Sequence, residues 1–120
     1  MAVDHYAERL ARVRQRFVSA LESKIEDSYA AIPNLVGESA QVLEAVAETY
    51  RRMHGIVGIG PTVGFARTGR AARSVEHILM LPHQTERGLT IEEIASFKKG
   101  LHALRETAAS ELQSYYSNWR

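Results

Sequence analysis

One histidine near the middle of the chain has the type and surroundings to do chemistry. Four apolar residues recur around it at helical spacings of four, seven and three: Val42, Val46, Met53 and Ile56. A helix turns about 100° per residue, so these residues share one face and His54 lies just beyond its edge. An imidazole there can contact water and a partner while its backbone is anchored in a core. Because a neutral imidazole is a nucleophile at cellular pH, we predict a reactive histidine at the rim of a helix.

Two glycines beside His54 strengthen this interpretation. Gly58 lies one helical turn after the histidine, where a larger side chain would cover the ring, and Gly55 follows it directly. A glycine inside a helix costs about 1 kcal/mol relative to alanine, so two of them beside one histidine call for a reason. We therefore predict an open surface at His54.

A longer register continues from this histidine. His54 is followed by Gly58 four residues on, by Gly64 ten residues on and by Glu76 a further twelve residues on. This pattern resembles that of histidine-containing phosphotransfer (HPt) domains, and the pair Gly64-Phe65 is especially similar to the phosphotransfer domain of chemotaxis kinases. HPt domains are four-helix bundles that accept a phosphoryl group on the histidine and exchange it with an aspartate of a receiver domain. The resemblance implies that His54 is the phosphoacceptor.

The resemblance also implies roles for neighbouring residues. Gly55, Gly58 and Gly64 would form the surface on which a receiver docks and would allow a close helix approach. Glu76 would accept a hydrogen bond from one ring nitrogen and leave the other free to attack, as in the chemotaxis kinases. The alternative is that Glu76 is an ordinary acid near a helix end that contacts water.

Two positions depart from the family pattern. HPt domains usually carry Lys three residues after the histidine and Ala or a small hydroxyl residue six after it, whereas this chain has Val57 and Gly60. Without the lysine, the nearest cation that would steady the phosphate is missing. Arg51, one turn before the histidine on the same face, is the candidate for phosphate support. We expect Arg67 and Arg70 to be solvated surface residues.

These features predict a histidine phosphotransfer protein of a two-component phosphorelay. His54 would carry a phosphoryl group between a histidine kinase and the aspartate of a response-regulator receiver domain. We expect a phosphocarrier without nucleotide-binding or kinase activity of its own, because the chain has no phosphate-loop motif. The alternative is a docking module of the same fold that binds a receiver or kinase without transfer, and Val57 is the reason to keep it.

The bulk composition argues against several other classes of protein. A net charge of +1 gives no global field for nucleic acid or an anionic membrane. The chain has no cysteine, and its five histidines do not follow a metal-ligand spacing, so we expect no metal and no cofactor. No apolar run approaches the ~20 residues of a membrane span, and the first residues do not form a signal peptide. We therefore expect a cytoplasmic protein.

Four helices are needed to position these residues. The first should end at Pro33, and the second should begin at Ser39 and end near Gly60-Pro61. Thr62 should cap the third helix, residues 81–88 should form a polar loop, and the fourth should follow the capping box formed by Thr90 and Glu93. This pattern predicts an all-α fold, an antiparallel up-down four-helix bundle that forms one HPt-like domain over residues 1–120. We expect a monomer.

Overall fold

The computed structural model describes residues 2–118, which fold into helices. Four α-helices follow one another along the chain: α1 (Ala2–Ala31), α2 (Ala40–Ile59), α3 (Ala66–Gln84) and α4 (Ile91–Asn118). Two short 3-10 helices lie in the connections, at Ile32–Asn34 and at Gly60–Val63. Residues 2–118 contain no strand. The prediction of an all-α fold in which four helices pack together is confirmed.

A continuous apolar core joins the four helices. Its fully buried members come from every helix and include Leu21, Val46, Met53, Ile56, Val75, Leu79, Phe97, Leu101 and Leu104. The apolar face predicted for α2 is confirmed, because its four residues are all buried while His54 is exposed. Burial of a large apolar side chain contributes about 1.5–3 kcal/mol. This face therefore fixes the rotation of α2 and turns His54 outward.

Helices α2 and α3 run in opposite directions, as their contacts show. His54 of α2 contacts Glu76 of α3, and Tyr50, one turn earlier on α2, stacks on His83, further along α3. The lower residue number on α2 thus pairs with the higher residue number on α3, which means that the two helices are antiparallel. This arrangement brings the middle of α3 alongside the histidine. Between residues 2 and 118, none of the helices combines the length and the apolarity needed to cross a membrane.

Two of the predicted helix caps are confirmed. At the start of α2, the Val42 amide donates to Ser39 Oγ at 3.3 Å. At the start of α4, the Glu93 amide donates to Thr90 Oγ1 at 3.1 Å, and the Thr90 amide donates to Glu93 Oε1 at 2.8 Å. These bonds are the side-chain caps expected at the start of a helix, where amides lack the usual backbone acceptor four residues earlier.

The start of α3 differs from the prediction. Thr62 lies within the 3-10 helix Gly60–Val63, and α3 begins only at Ala66, so Thr62 is not its cap. The Thr68 amide donates instead to Glu111 Oε1 of α4 at 2.6 Å, and the Thr68 hydroxyl donates to the same oxygen at 2.6 Å. The first turn of α3 is therefore satisfied from across the bundle, by a residue that no local spacing indicates.

The end of α3 also differs from the prediction. A loop was expected over residues 81–88, but α3 continues to Gln84 and contains Pro82 in its last turn. Proline removes one helical hydrogen bond and normally ends a helix. Here the Pro82 ring is buried, and that burial offsets the loss of the hydrogen bond. The helix therefore continues past the proline for a short distance.

The two connections at one end of the bundle touch each other. The Leu89 amide donates to the Leu35 carbonyl oxygen at 2.8 Å. A methyl group placed at Gly88 would lie 2.5 Å from the Gly37 carbonyl oxygen, which is too close for any side chain. The connection between α1 and α2 is thus joined to the connection between α3 and α4. His54 lies nearer the opposite end of α2.

Candidate functional site

The centre of the site is a contact between His54 of α2 and Glu76 of α3. His54 Nδ1 lies 2.5 Å from Glu76 Oε2. The His54 side chain is 69% exposed, whereas the Glu76 side chain is only 10% exposed. A carboxylate can only accept a hydrogen bond, so Nδ1 carries the proton and donates it. In the neutral ring the lone pair therefore belongs to Nε2.

The second ring nitrogen of His54 faces outward. Among residues 2–118, Nε2 has no hydrogen-bond partner. The ring also stacks on Tyr50, with 5.9 Å between centroids and 12° between planes. Tyr50 in turn stacks on His83 of α3 with centroids 4.7 Å apart. Glu76 and Tyr50 thus restrain the imidazole from two sides and leave one nitrogen open to a reactant.

The glycines predicted at the site have different surroundings. A methyl group placed at Gly58 would meet no other heavy atom within 4 Å, so the space one turn after His54 is open. Gly64 lies beyond the 3-10 helix with a φ of 91°, a left-handed conformation that favours glycine. A methyl group at Gly55 would lie 3.7 Å from the Lys24 Nζ atom of α1. Of the three positions, Gly64 has a backbone conformation that calls for glycine, whereas a methyl group would fit at Gly55 and at Gly58.

The close approach of backbones occurs at other glycines. A methyl group at Gly60 would lie 3.0 Å from the Phe65 carbonyl oxygen, and one at Gly69 would lie 3.0 Å from the Pro61 ring. Space is open at Gly58 and at Gly64. The tight packing between the end of α2 and the start of α3 is thus separate from the open surface at His54.

Arg51, the candidate for phosphate support, lies near Glu44 and not near His54. Arg51 Nη2 lies 3.8 Å from Glu44 Oε1, and both side chains are mostly exposed. Within the described part of the chain, no contact joins Arg51 to His54. Val57, which stands where HPt domains usually have lysine, is half-buried and packs against the core. A role for Arg51 in supporting phosphate therefore stays a prediction.

Sequence reasoning assigned no role at the site to three residues near His54. Tyr50 lies one helical turn before His54, and that spacing is a usable signal for ring stacking. His83 and Lys24 reach the site from other helices, and no local spacing indicates them. Residues 2–118 contain no group of three His, Cys, Asp or Glu side chains that could hold a metal ion.

No family model, no curated protein and no solved structure matches the chain. Function must therefore be inferred from the site and from the residue pattern around it. The contact of His54 with Glu76 and the open space at Gly58 are the two features from which such an inference starts.

Proposed function

We propose that this chain is a phosphohistidine carrier of the HPt type, an up-down four-helix bundle that exchanges a phosphoryl group between a histidine kinase and a response-regulator receiver domain. The observation that carries the proposal is the exposed His54 ring, held through Nδ1 by Glu76 with Nε2 outward. The register of His54, Gly58, Gly64 and Glu76 supports it. Orientation of one imidazole nitrogen by a carboxylate on the other is the arrangement that a histidine nucleophile needs.

The transfer step uses the lone pair of His54 Nε2. This nitrogen attacks the phosphorus of an aspartyl phosphate on the receiver, and the N–P bond forms as the P–O bond to the aspartyl group breaks. The aspartate leaves as a carboxylate, and the histidine ring gains positive charge. The Nδ1 proton stays hydrogen-bonded to Glu76, whose negative charge stabilises the ring. Reversal of the same step passes the phosphoryl group to a second receiver.

Room for the receiver is available along the outer face of α2. His54 and Gly58 are both exposed on this face, and the missing side chain at Gly58 leaves space one turn from the reacting nitrogen. In-line transfer requires close contact between the two proteins, because the reacting atoms must approach to about 3–3.5 Å. A carrier of this kind has little to add beyond position, since positioning and charge stabilisation account for most of the catalysis of phosphoryl transfer.

Incubation with ³²P-labelled receiver domains in the presence of Mg²⁺ tests the proposal. We expect an acid-labile, base-stable label on the wild-type chain and none on His54→Gln. His102→Gln is the matched control, because His102 is an equally exposed histidine on α4 that pairs with Glu106 at 2.9 Å. It should take up label at the wild-type rate. An unlabelled wild type across a panel of receivers, or equal label on His54→Gln, would contradict the proposal.

A second candidate is a docking module of the same fold that does not transfer phosphate. The half-buried Val57 favours it, because an apolar residue stands where HPt domains usually carry a cation. Under this alternative, a receiver binds equally well to the wild type and to His54→Ala. Measured binding with no transfer at any magnesium concentration would select this candidate over the first.

A further inference from the structure

We propose that Lys24 of α1 supplies the positive charge that stabilises the phosphoryl group on His54. This inference rests on the proposed function, since it assigns a charge-stabilising residue to the same site. The observation behind it is the nearness of the Lys24 ammonium group to Gly55, the residue directly after the histidine in α2. A methyl group placed at Gly55 would lie 3.7 Å from Lys24 Nζ.

The position of the amine can be bounded from backbone dimensions. A Cβ atom lies about 1.5 Å from its Cα, and consecutive Cα atoms are about 3.8 Å apart. With Lys24 Nζ 3.7 Å from the Cβ position of residue 55, the ammonium group lies within about 9 Å of the His54 Cα. Because Gly55 has no side chain, nothing at that position stands between the lysine and the outer face of α2.

In the described part of the chain, Lys24 is also a cation without a partner of its own. Among residues 2–118, its ammonium group has no ion pair and no hydrogen bond. The two arginines beside His54 on α2 each lie near a carboxylate, since Arg51 is 3.8 Å from Glu44 and Arg52 is 3.7 Å from Glu48. The flexible four-carbon stem of a lysine lets its ammonium group move by several ångströms. An incoming anion on His54 would therefore meet Lys24 as an unpaired partner.

The strength of the effect follows from charge and distance. A phosphoryl group carries about two negative charges near neutral pH. The ammonium group can move toward the phosphoryl group on its flexible stem, and at a separation near the Debye length of about 8–10 Å at moderate salt the attraction is only partly screened. Coulomb attraction at an exposed site of this size predicts that loss of the lysine slows transfer to His54 about three- to tenfold. High salt should remove most of this difference.

Initial rates of transfer from a phosphorylated receiver, measured at low and at high salt, test the assignment. Lys24→Met should be about three- to tenfold slower than the wild type at low salt and close to it at about 1 M salt. Lys24→Arg should restore the rate, because it restores the charge. Lys99→Met, at an exposed position on α4, is the matched control and should behave as the wild type. Lys24→Gln takes the place of Lys24→Met if circular dichroism shows that the methionine variant is unfolded.

The outcomes separate this inference from the proposed function. If the wild type takes up label and Lys24→Met matches it at low salt, the role of Lys24 is overturned while the carrier function stands. The same holds if Arg51→Gln slows transfer and Lys24→Met does not, because the charge then comes from Arg51. If the wild type takes up no label, both proposals fail. Slow transfer by Lys24→Met that Lys24→Arg does not restore also overturns the role, since it would show a packing effect.

Discussion

The carboxylate of Glu76 is almost buried, yet it contacts the mostly exposed ring of His54. The acceptor therefore lies on the protein side of the pair, and Nε2, the nitrogen that we propose to react, lies on the solvent side. Water competes little for a carboxylate that is shielded in this way. The bond between the two residues can thus persist while a partner protein approaches the ring.

Glu76→Gln should slow phosphoryl transfer while the helices stay folded. An amide keeps the shape of the side chain but can donate as well as accept, so it no longer selects the Nδ1–H tautomer. A hydrogen bond to a charged group contributes about 1.5–3 kcal/mol, which corresponds to a loss of about tenfold or more in rate. Labelling rates and ¹⁵N NMR of the His54 ring measure the two effects. Glu106→Gln is the control, and equal rates for the two variants would contradict an orienting role for Glu76.

Gly58→Leu should leave the fold intact and block docking at His54. The position is open, so a leucine there points into solvent beside the ring and occupies the space that a receiver needs. Receiver binding by titration calorimetry and helicity by circular dichroism are the measurements. Ala103→Leu, at an exposed position on α4, should affect neither. Collapse of helicity in Gly58→Leu alone would show that the position is not on an open face.

Met53→Asp should unfold the bundle. Met53 is fully buried, so the substitution places an unpaired charge in the core of the four helices. A buried charge without a partner costs at least about 3 kcal/mol. Ser74→Asp introduces the same side chain at an exposed position of α3 and should change the melting temperature little. A thermal melt of Met53→Asp close to that of the wild type would mean that α2 is rotated differently.

The start of α4 should lose stability in acid. Arg87 Nη1 and Nη2 donate to the two Glu93 carboxylate oxygens at 2.7 and 3.0 Å. The hydrogen bonds from Arg87, together with one from the Thr90 amide, lower the pKa of Glu93 from 4.5 to about 2. Burial of the carboxylate acts in the opposite direction and is outweighed. A carboxylate whose pKa is lower in the folded state contributes stability above its unfolded pKa and loses it as pH falls.

The melting temperature of the wild type should therefore fall between pH 4.5 and about 2 more steeply than that of Glu93→Gln. Above pH 4.5, the glutamine variant should be the less stable of the two, since it lacks the charged partner of Arg87. Parallel profiles of melting temperature against pH for the two proteins would show that ionised Glu93 does not contribute to stability.

The sequence was sufficient for features that depend on local spacing. Val42, Val46, Met53 and Ile56 were predicted to be buried from their helical period alone, and they are. The exposure of His54 and Gly58 follows from the same period. The capping box of Thr90 and Glu93 depends only on residues three apart, and it forms. The fold class and the open face of α2 could thus be predicted without coordinates.

Other features depend on which helices meet, and local spacing does not specify this. The start of α3 was misplaced because Glu111 of α4, not Thr62, bonds to its first turn. The loop predicted for residues 81–88 begins only after Gln84, because burial of the Pro82 ring outweighs the usual effect of proline. Lys24 reaches α2 from α1, so its place beside Gly55 becomes visible only once the helices are packed.

The tight contact at Gly88 has a consequence for mutagenesis of this chain. Gly88 belongs to the connection between α3 and α4, which lies beside the start of α2. His54 is about 20 Å further along α2, because a helix rises about 1.5 Å per residue. A saturation screen scored by phosphoryl transfer, the proposed activity, would nevertheless mark position 88 as intolerant, since any side chain there collides with Gly37. Such variants would fail through low yield of folded protein. Protein abundance measured alongside transfer would separate this position from the proposed site at His54.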